Sequence, residues 1–433
     1  MDNNLFDEVF GLAARGQLGK DQSIAFDTVL HNQDKNFFIT GAAGTGKSTL
    51  LRYISENAKN AVVVAPTGIA SLNAGGQTIH SFFKLPIGII TKKEIKHHGN
   101  DFNMVRPVKL LIIDEISMVS SMLLDAIDMS LRVNKGSDLP FGGAQVIMIG
   151  DLNQLPPVVT ADDAAYMYKT YKSPYFFDSM VLRNARPQKI VLNEIFRQKD
   201  ELFISILNKI KDARVTQADL DIVNDICHKS DHEHDPNIIN LCTVNRQADY
   251  INEKMMNLLT TPEHIYIGEL TGEFRETNVP VPMRFVAKEG CRIMFRNNDL
   301  EKRWFNGSLG TVTQIKSDCI VVLLDNGMKH HVSPHTWELK KYRLDKMTGQ
   351  MASTVVGTYT QYPMVIAYAC SIHKSQGCTF ENVHIDLVDG AFASGQTYVA
   401  LSRATTLQGM TLARPVAMSD IIYDQKILDF LRS

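Results

Sequence analysis

Phe37-Phe38-Ile39-Thr40-Gly41-Ala42-Ala43-Gly44-Thr45-Gly46-Lys47-Ser48-Thr49-Leu50-Leu51-Arg52-Tyr53 is the stretch that decides the fold. A short apolar strand runs into a glycine-rich loop, and a helix-compatible segment follows, matching G-x-x-x-x-G-K-[ST] in the structural order that pattern requires. The glycines let successive backbone N–H groups curl round phosphate oxygens at a helix N-terminus. Lys47 then neutralises the β- and γ-phosphates, and the Ser48 hydroxyl is a ligand for Mg²⁺. Gly41 to Thr49 therefore predict a nucleoside triphosphate site.

Further along, Leu110-Leu111-Ile112-Ile113-Asp114-Glu115 is an apolar strand ending in adjacent carboxylates. Coupled to the upstream loop, it predicts Asp114 in the Mg²⁺ shell and Glu115 as acceptor of a proton from the attacking water. Ala61 to Ala65, Gln145 to Ile149 and Lys189 to Val191 are similar apolar runs followed by polar or glycine-rich turns. All are read as fully buried parallel strands, with the chemistry just beyond their carboxyl ends. From about Thr261 to Gln350 the texture changes to short strands, with Asn306-Gly307 and Asn326-Gly327 as turn signals. These predict hairpins and a small β-barrel insertion. Met364 to Tyr368 and Val383 to Leu387 return to the buried-strand pattern, and Gln396 to Arg403 begins a helix. The second α/β core is thus expected to be discontinuous.

With 433 residues, a prior of about 150 per domain suggests roughly three domains. Hydrophobic residues make up 44% and charged residues 21%, the usage of a globular protein with a sizeable core. Lys and Arg number 45 against 47 Asp and Glu, so no bulk positive field drives partner binding and any nucleic-acid contact must be local. The six cysteines contain no C-x-x-C pair, which argues against a zinc site or a disulfide framework and fits a reducing compartment. The start lacks a signal-peptide profile and no apolar run approaches the 18 or so residues that span a bilayer. A soluble, cytoplasmic protein without membrane contact is expected. Cys227 to Asp235 has metal-ligand residue types but no second ligand pair at zinc spacing, and is read as a solvated loop. Cys370 and Cys378 are read as packing residues.

Several blocks together resemble a known motif set: Ala65-Pro66-Thr67-Gly68, Thr78-Ile79-His80-Ser81-Phe82, Gly150-Asp151 with Gln154, Glu194-Ile195-Phe196-Arg197-Gln198, His373-Lys374-Ser375-Gln376-Gly377 and Tyr398 to Arg403. In order, they resemble superfamily one DNA helicases. More narrowly, Pro140-Phe141-Gly142-Gly143-Ala144-Gln145 and Asp114-Glu115-Ile116-Ser117-Met118 resemble the petite-integration-frequency (Pif) family, a RecD-like branch, from about Gln22 to Arg403. Ala144 stands where the signature usually has isoleucine.

The resemblance implies an α/β protein of two RecA-like parallel-sheet motor domains, with an SH3-like β-barrel inserted in the second and a short wedge after Ser71, including Ala74-Gly75-Gly76, in the first. The implied division is 1–30 for an N-terminal helical segment, 31–182 for the first motor domain, 183–258 and 356–433 for the second, and 259–355 for the insertion. It implies ATP between the domains, and 5′ to 3′ movement on single-stranded DNA with unwinding of tailed duplexes, G-quadruplexes and RNA–DNA hybrids. The protein would be a monomer in solution. Arg197 and Arg403 match the arginine fingers, which contribute about 10³ to 10⁵ in rate in related enzymes. Gln154 matches the γ-phosphate sensor, Gln22 the adenine-reading glutamine, and Gly377 is grouped with the nucleotide contacts.

Short polar motifs suit a motor that must grip and release a strand, because hydroxyl, N–H and imidazole groups bind phosphates regardless of sequence. Thr67, Gly68, His80 and Ser81 are expected to do so in the first motor domain, and Thr243, Asn245, His373, Lys374 and Ser375 in the second. Phe82 is a candidate base-stacking residue, with core packing as the alternative for it and Phe83. Lys288, Arg292, Arg296, Lys302 and Arg303, interleaved with Trp304 and Phe305, suggest a nucleic-acid surface on the insertion, or aromatics that fill it. Two other classes compete with a helicase: a nucleotide-switched binding ATPase that does not translocate, and a P-loop ATPase acting on protein or small molecules.

Overall fold

Strands apolar on both faces cannot lie at a solvent surface, and the glycine-rich loop begins where such a strand ends. The structure is a computed structural model and describes residues 18–42, 44–99, 104–154, 156–194, 200–227, 237–344 and 351–433. It divides into two units. In the first, α1 (Lys20–His31), β1 (Phe37–Gly41), α2 (Lys47–Asn57), β2 (Ala61–Ala65), α3 (Gly68–Asn73), β3 (Gln77–Thr78), α4 (Ile79–Phe83), β4 (Leu110–Ile113), α5 (Ser121–Lys135), β5 (Gln145–Ile149), α6 (Ala161–Thr170) and β6 (Gln188–Leu192) follow in order. Their six strands form one sheet in the order β3-β2-β4-β5-β1-β6, every pair parallel. One face of β1 packs Phe37 and Ile39 against Ala25, Phe26, Leu50 and Ile54 of α1 and α2. On the other, Phe38 meets Phe176 at 5.3 Å between centroids. Both faces are covered, as a parallel sheet requires.

Three expectations change here. β6 is mostly exposed, only Leu192 being buried, because it is the last strand in the sheet rather than an inner one. It pairs along its length with β1, so the first unit runs to Phe196 instead of ending at 182. Leu339–Val356 also belongs to the first unit instead of to the insertion. The reason is an incomplete sheet edge: β3 pairs only with Val64 and Ala65, and the next outward N–H of β2, that of Val63, donates to the Tyr342 hydroxyl at 3.0 Å. Gln77 Nε2 donates to Lys340 O at 3.0 Å, completing the cover. Ala74-Gly75-Gly76 is a tight entry to β3, where a Cβ on Gly76 would lie 2.3 Å from Val63 O, and the α/β alternation is interrupted between α4 and β4.

The second unit contains α7 (Glu201–Lys211), α8 (Gln217–Cys227), β7 (Ile239–Cys242), α9 (Asn245–Leu258), β8 (His264–Ile267), β9 (Glu269–Gly272), β10 (Arg284–Ala287), β11 (Arg292–Phe295), β12 (Leu309–Ile315), β13 (Ile320–Leu324) and β14 (Lys329–Val332). There follow β15 (His335–Leu344) and β16 (Met351–Gln361), which the unit boundary divides, then β17 (Met364–Ile366), β18 (Ala369–Ser371), β19 (Val383–Asp386), α10 (Gln396–Leu401), β20 (Met410–Leu412) and α11 (Gln425–Arg432). A parallel sheet, β18-β7-β19-β20, sits in a core with α7, α8 and α10. The inserted strands form an antiparallel sheet, β14-β13-β12-β11-β17, in which Gly327 turns β13 into β14 at φ 82°. Trp304 fills this region, stacked on Phe295 at 4.5 Å. In the chain, β7 of the parallel sheet precedes the antiparallel strands, and β18, β19 and β20 follow them.

Candidate nucleotide and nucleic-acid sites

The phosphate loop is held by contacts that only glycine allows. A Cβ on Gly41 would lie 2.6 Å from Leu192 O and 2.7 Å from Thr45 Oγ1, while Gly44 and Gly46 take φ of 87° and 73°, a region costly for other residues. Ala42 O accepts the Thr45 hydroxyl at 3.0 Å. Lys47 Nζ lies over the loop, donating to Gly41 O at 2.8 Å and Ala42 O at 3.0 Å. Ser48 and Thr49 open α2, with Ser48 exposed. Ala43 lies outside the described residues.

Gln22 lies beside the phosphate loop. It is 4% exposed, its Oε1 accepts Gly19 N–H at 2.9 Å, and its Nε2 donates to Thr45 O and Gly46 O, both at 3.1 Å. In this structure both amide protons are used on the loop, so the side chain braces it, and donating to an adenine would require release of one of these carbonyls.

Asp114 ends β4, where burial pushes its carboxyl up to about 6 against the lowering effects of the Glu115 N–H and the Lys47 ammonium. Glu115 adopts the left-handed conformation, φ 49° and ψ 46°, a strain of about 1 to 3 kcal/mol for such a residue. The turn behind it, Ile116–Met118, is pressed by Gly150 at the end of β5: a Cβ there would lie 2.9 Å from Ile116 Cγ2 and 3.1 Å from Ile116 N. Sequence reading noted Gly150 as part of a block and missed this clearance, for which a glycine just past a buried strand was the available signal. The donor set, one hydroxyl and one carboxylate, fits Mg²⁺, which keeps several waters and takes the rest of its ligands from phosphates. Among the described residues no group of three or more His, Cys, Asp or Glu is placed to hold a metal ion.

Gln154 groups with the second unit, where its Oε1 accepts Gln376 Nε2 at 2.7 Å. Arg197 lies outside the described residues, as does the 228–236 stretch. Arg403 is 1% exposed and is turned inward: Nε donates to Val399 O at 2.9 Å, the Nη1 group to Ser375 O and Cys378 O, and Nη2 to Ser402 Oγ at 2.8 Å. In this structure it ties the His373 block to the helix α10 end. Gly377 takes φ 82° in the same block. Cys370 and Cys378 are core residues, and burial raises the Cys370 thiol.

The DNA candidates divide by what their side chains already do. Thr67 is exposed and caps α3, accepting Ala70 N–H at 3.2 Å, with Gly68 as the next residue. His80 and Ser81 lie on α4, Ser81 exposed. Phe82 is 4% exposed, edge-on to Phe83 at 4.9 Å and to Tyr342 at 5.9 Å, so packing wins over stacking on a base. In the second unit Thr243 is buried, Asn245 is exposed, and Ser371 Oγ donates to Asn245 Oδ1 at 2.7 Å. His373 and Lys374 are exposed. Partial desolvation holds the His373 imidazole below its ordinary value. Ser375 is buried, its hydroxyl donated to Ile372 O, which removes it as a phosphate contact in this structure.

The basic surface expected on the insertion shrinks. Lys288 is buried and donates to Met256 O and Leu259 O. Arg292 is buried in a two-pronged pair with Asp325 at 2.6 and 2.8 Å. Arg303 pairs with Asp299 and lies over the Trp304 ring. Lys288 and Arg292, bonded inside the fold, are unavailable to a strand outside it, whereas the Arg303 side chain stays 38% exposed.

The PIF1-like helicase family matches residues 17–221. The ATP-dependent DNA helicase Pif1 of Bdellovibrio bacteriovorus is 31% identical over 96% of this chain and 92% of its own length. The chain spans 61% of the PIF1 helicase of Xenopus laevis, also at 31% identity. A Bacteroides Pif1 crystal structure in complex with ADP-AlF4 superposes with a TM-score of 0.90 at 35% identity, covering 96% of each chain. Bacteroides Pif1 bound to ssDNA gives 0.68 at 36% identity with the same coverage. From the phosphate loop, the carboxylate pair and these relatives together, the chain belongs to the PIF1-like helicase family of ATP-dependent DNA helicases.

Proposed function

We propose that this ATP-dependent DNA helicase translocates 5′ to 3′ along single-stranded DNA and opens tailed duplexes, G-quadruplexes and RNA–DNA hybrids, as a monomer using ATP and Mg²⁺. The observation that carries the reading is the loop of Gly41 to Thr49, with Lys47 above it and Asp114 and Glu115 just past the end of β4 in the same sheet. Mg²⁺, when bound by Ser48 and Asp114, supplies charge neutralisation at the phosphates. Lys47 exchanges its loop carbonyls for phosphate oxygens, and Glu115 takes the proton of the attacking water. Arg197 and Arg403 stabilise charge on the transferring phosphoryl group. For Arg403 that requires release from Ser375 O and Cys378 O, which would couple turnover to movement of the His373 block. Thr67, Gly68, His80, Ser81, Asn245, His373 and Lys374 hold the strand.

The test is unwinding of partial duplexes that carry a 5′ or a 3′ single-stranded tail, with and without ATP. Opening of the 5′-tailed substrate alone, only with ATP, is expected. Opening of the 3′-tailed substrate reverses the assigned direction. Tight strand binding with nucleotide-dependent affinity but no unwinding of either substrate replaces the motor with the nucleotide-switched binding ATPase.

A further inference from the structure

A serine in a turn readily gives its hydroxyl to the carbonyl three residues before it. Ser71, Ser375 and Ser402 do so in this chain, to Gly68 O, Ile372 O and Val399 O at 2.8, 2.8 and 2.9 Å. Ser117 does not. It is 2% exposed, and its Oγ has no hydrogen-bond partner among the described residues. The backbone of the same turn is nevertheless paired, Met118 N–H to Glu115 O and Val119 N–H to Ile116 O, both at 3.0 Å. Glu115 accounts for the exception: at φ 49° and ψ 46° it stands between Asp114 and Ser117 and breaks the right-handed course that would bring Asp114 O within reach. A buried hydroxyl left unpaired is costly, and here the cost falls two residues from a strained one.

Strain of this kind clusters where it serves a reaction, and Glu115 is the residue read above as taking the proton of the attacking water. The segment packed on the turn follows β5, which pairs in parallel with β4. A Cβ on Gly150 would lie 3.1 Å from Ile116 N and 3.3 Å from Ser117 N. The next residue, Asp151, is as buried as Ser117. A carboxylate offers about four lone-pair positions, so it takes one more donor whatever it already binds. We propose that Ser117 is a positioning residue for Glu115: in the hydrolysing enzyme its hydroxyl donates to the Asp151 carboxylate, and that bond fixes the turn that aims Glu115 at the water. A bond made only at that stage speeds turnover without tightening the binding of ATP. The proposal rests on the role given to Glu115 above.

The experiment measures ATP turnover over a range of nucleotide concentrations, with single-stranded DNA present, and thermal melting of the same proteins. Ser117→Ala is expected to lower kcat by about 10- to 100-fold, the worth of a hydrogen bond to a charged group, with KM for ATP unchanged. Its melting temperature should stay at or above the parent's, since the hydroxyl it removes has no partner among the described residues. Ser117→Cys, which keeps the shape and a weak donor, should fall between parent and Ser117→Ala in kcat. In an Asp151→Asn background, where the acceptor has lost its charge, Ser117→Ala should cost less than it does in the parent. Parent-like kcat in Ser117→Ala overturns the positioning role alone. So does a melting temperature well below the parent's with kcat and KM impaired together, the mark of a structural tie. An undiminished cost in the Asp151→Asn background overturns the pairing with Asp151. A Glu115→Gln protein that turns over like the parent overturns the reading of Glu115 and the positioning role with it.

Discussion

The phosphate loop of the first unit is shaped by crowded glycines; the His373 region of the second is held by buried polar side chains. Gly41 and Gly150 sit where a Cβ would come within 3 Å of a neighbour, and the hydrogen bonds of Thr45 and Lys47 to Gly41 O and Ala42 O close within a few positions of the chain. The His373 region is assembled from distant pieces: Gln396 reaches Thr243, Arg403 reaches Ser375 and Cys378, and Ser371 reaches Asn245. A loop shaped by missing side chains is stiff and local. A region tied by side-chain hydrogen bonds can exchange partners, which a strand-gripping surface must do at every step.

Substitutions at the two places should therefore fail differently. Lys47→Ala removes the cation over the phosphates and is expected to lower ATP turnover by about a hundredfold or more, while the melting temperature hardly moves, since other loop ties such as the Thr45 hydroxyl to Ala42 O remain. Arg403→Ala should lower both turnover and melting temperature, because it strips donors from buried carbonyls, each costing about 1 to 3 kcal/mol when left unpaired. Phosphate release and thermal melting on the same preparations check both. An Arg403→Ala protein that melts like the parent would show the guanidinium to be no brace. Gly41→Ala should destabilise the first unit by about 1 to 3 kcal/mol through overpacking against Leu192 O, read as a lower melting temperature together with weaker nucleotide binding. A variant with unchanged values would mean that the loop can yield, against the contrast drawn here.

The same contrast governs what the sequence made legible. The phosphate loop could be read because its determinants are contiguous, and the parallel strands because burial on both faces leaves a run of apolar residues. The edge position of β6 could not, since Lys189 to Val191 is apolar enough to pass for an inner strand and only the pairing order exposes it. Phe82 depends on Tyr342, and the burial of Arg292 depends on Asp325, contacts that residue type does not announce. Gln396 finds its partner Thr243 across 153 positions. Gln22 was recognised as a site residue, but its bonds to two loop carbonyls carry no local signal.

Among the polar ties of the second unit, the smallest effect should come from the one nearest solvent. Asp219 accepts Lys209 Nζ at 2.5 Å, Thr216 N–H at 2.9 Å and the Thr216 hydroxyl at 2.8 Å. The Lys209 ammonium first, and Thr216 second, hold its carboxyl down at about 2, against an ordinary 3.8. A carboxyl lowered by folding stabilises the native state fully above the unfolded value and loses that contribution as the pH falls from about 3.8 towards 2. Asp219→Asn keeps an oxygen for Thr216 and surrenders only the charge facing Lys209, whose side chain is 42% exposed and screened by water. At neutral pH it should cost no more than about 1 kcal/mol, less than replacing Gln396 with Leu, which leaves the Phe392 N–H and Thr243 O without their partner. Melting curves of parent and Asp219→Asn should converge as the pH drops to about 2. Added salt at pH 7 should narrow their separation as well. If the separation instead persists in acid, the stabilisation at Asp219 comes from hydrogen bonding that Asn fails to reproduce, and exposure to solvent is not what ranks the ties of this unit.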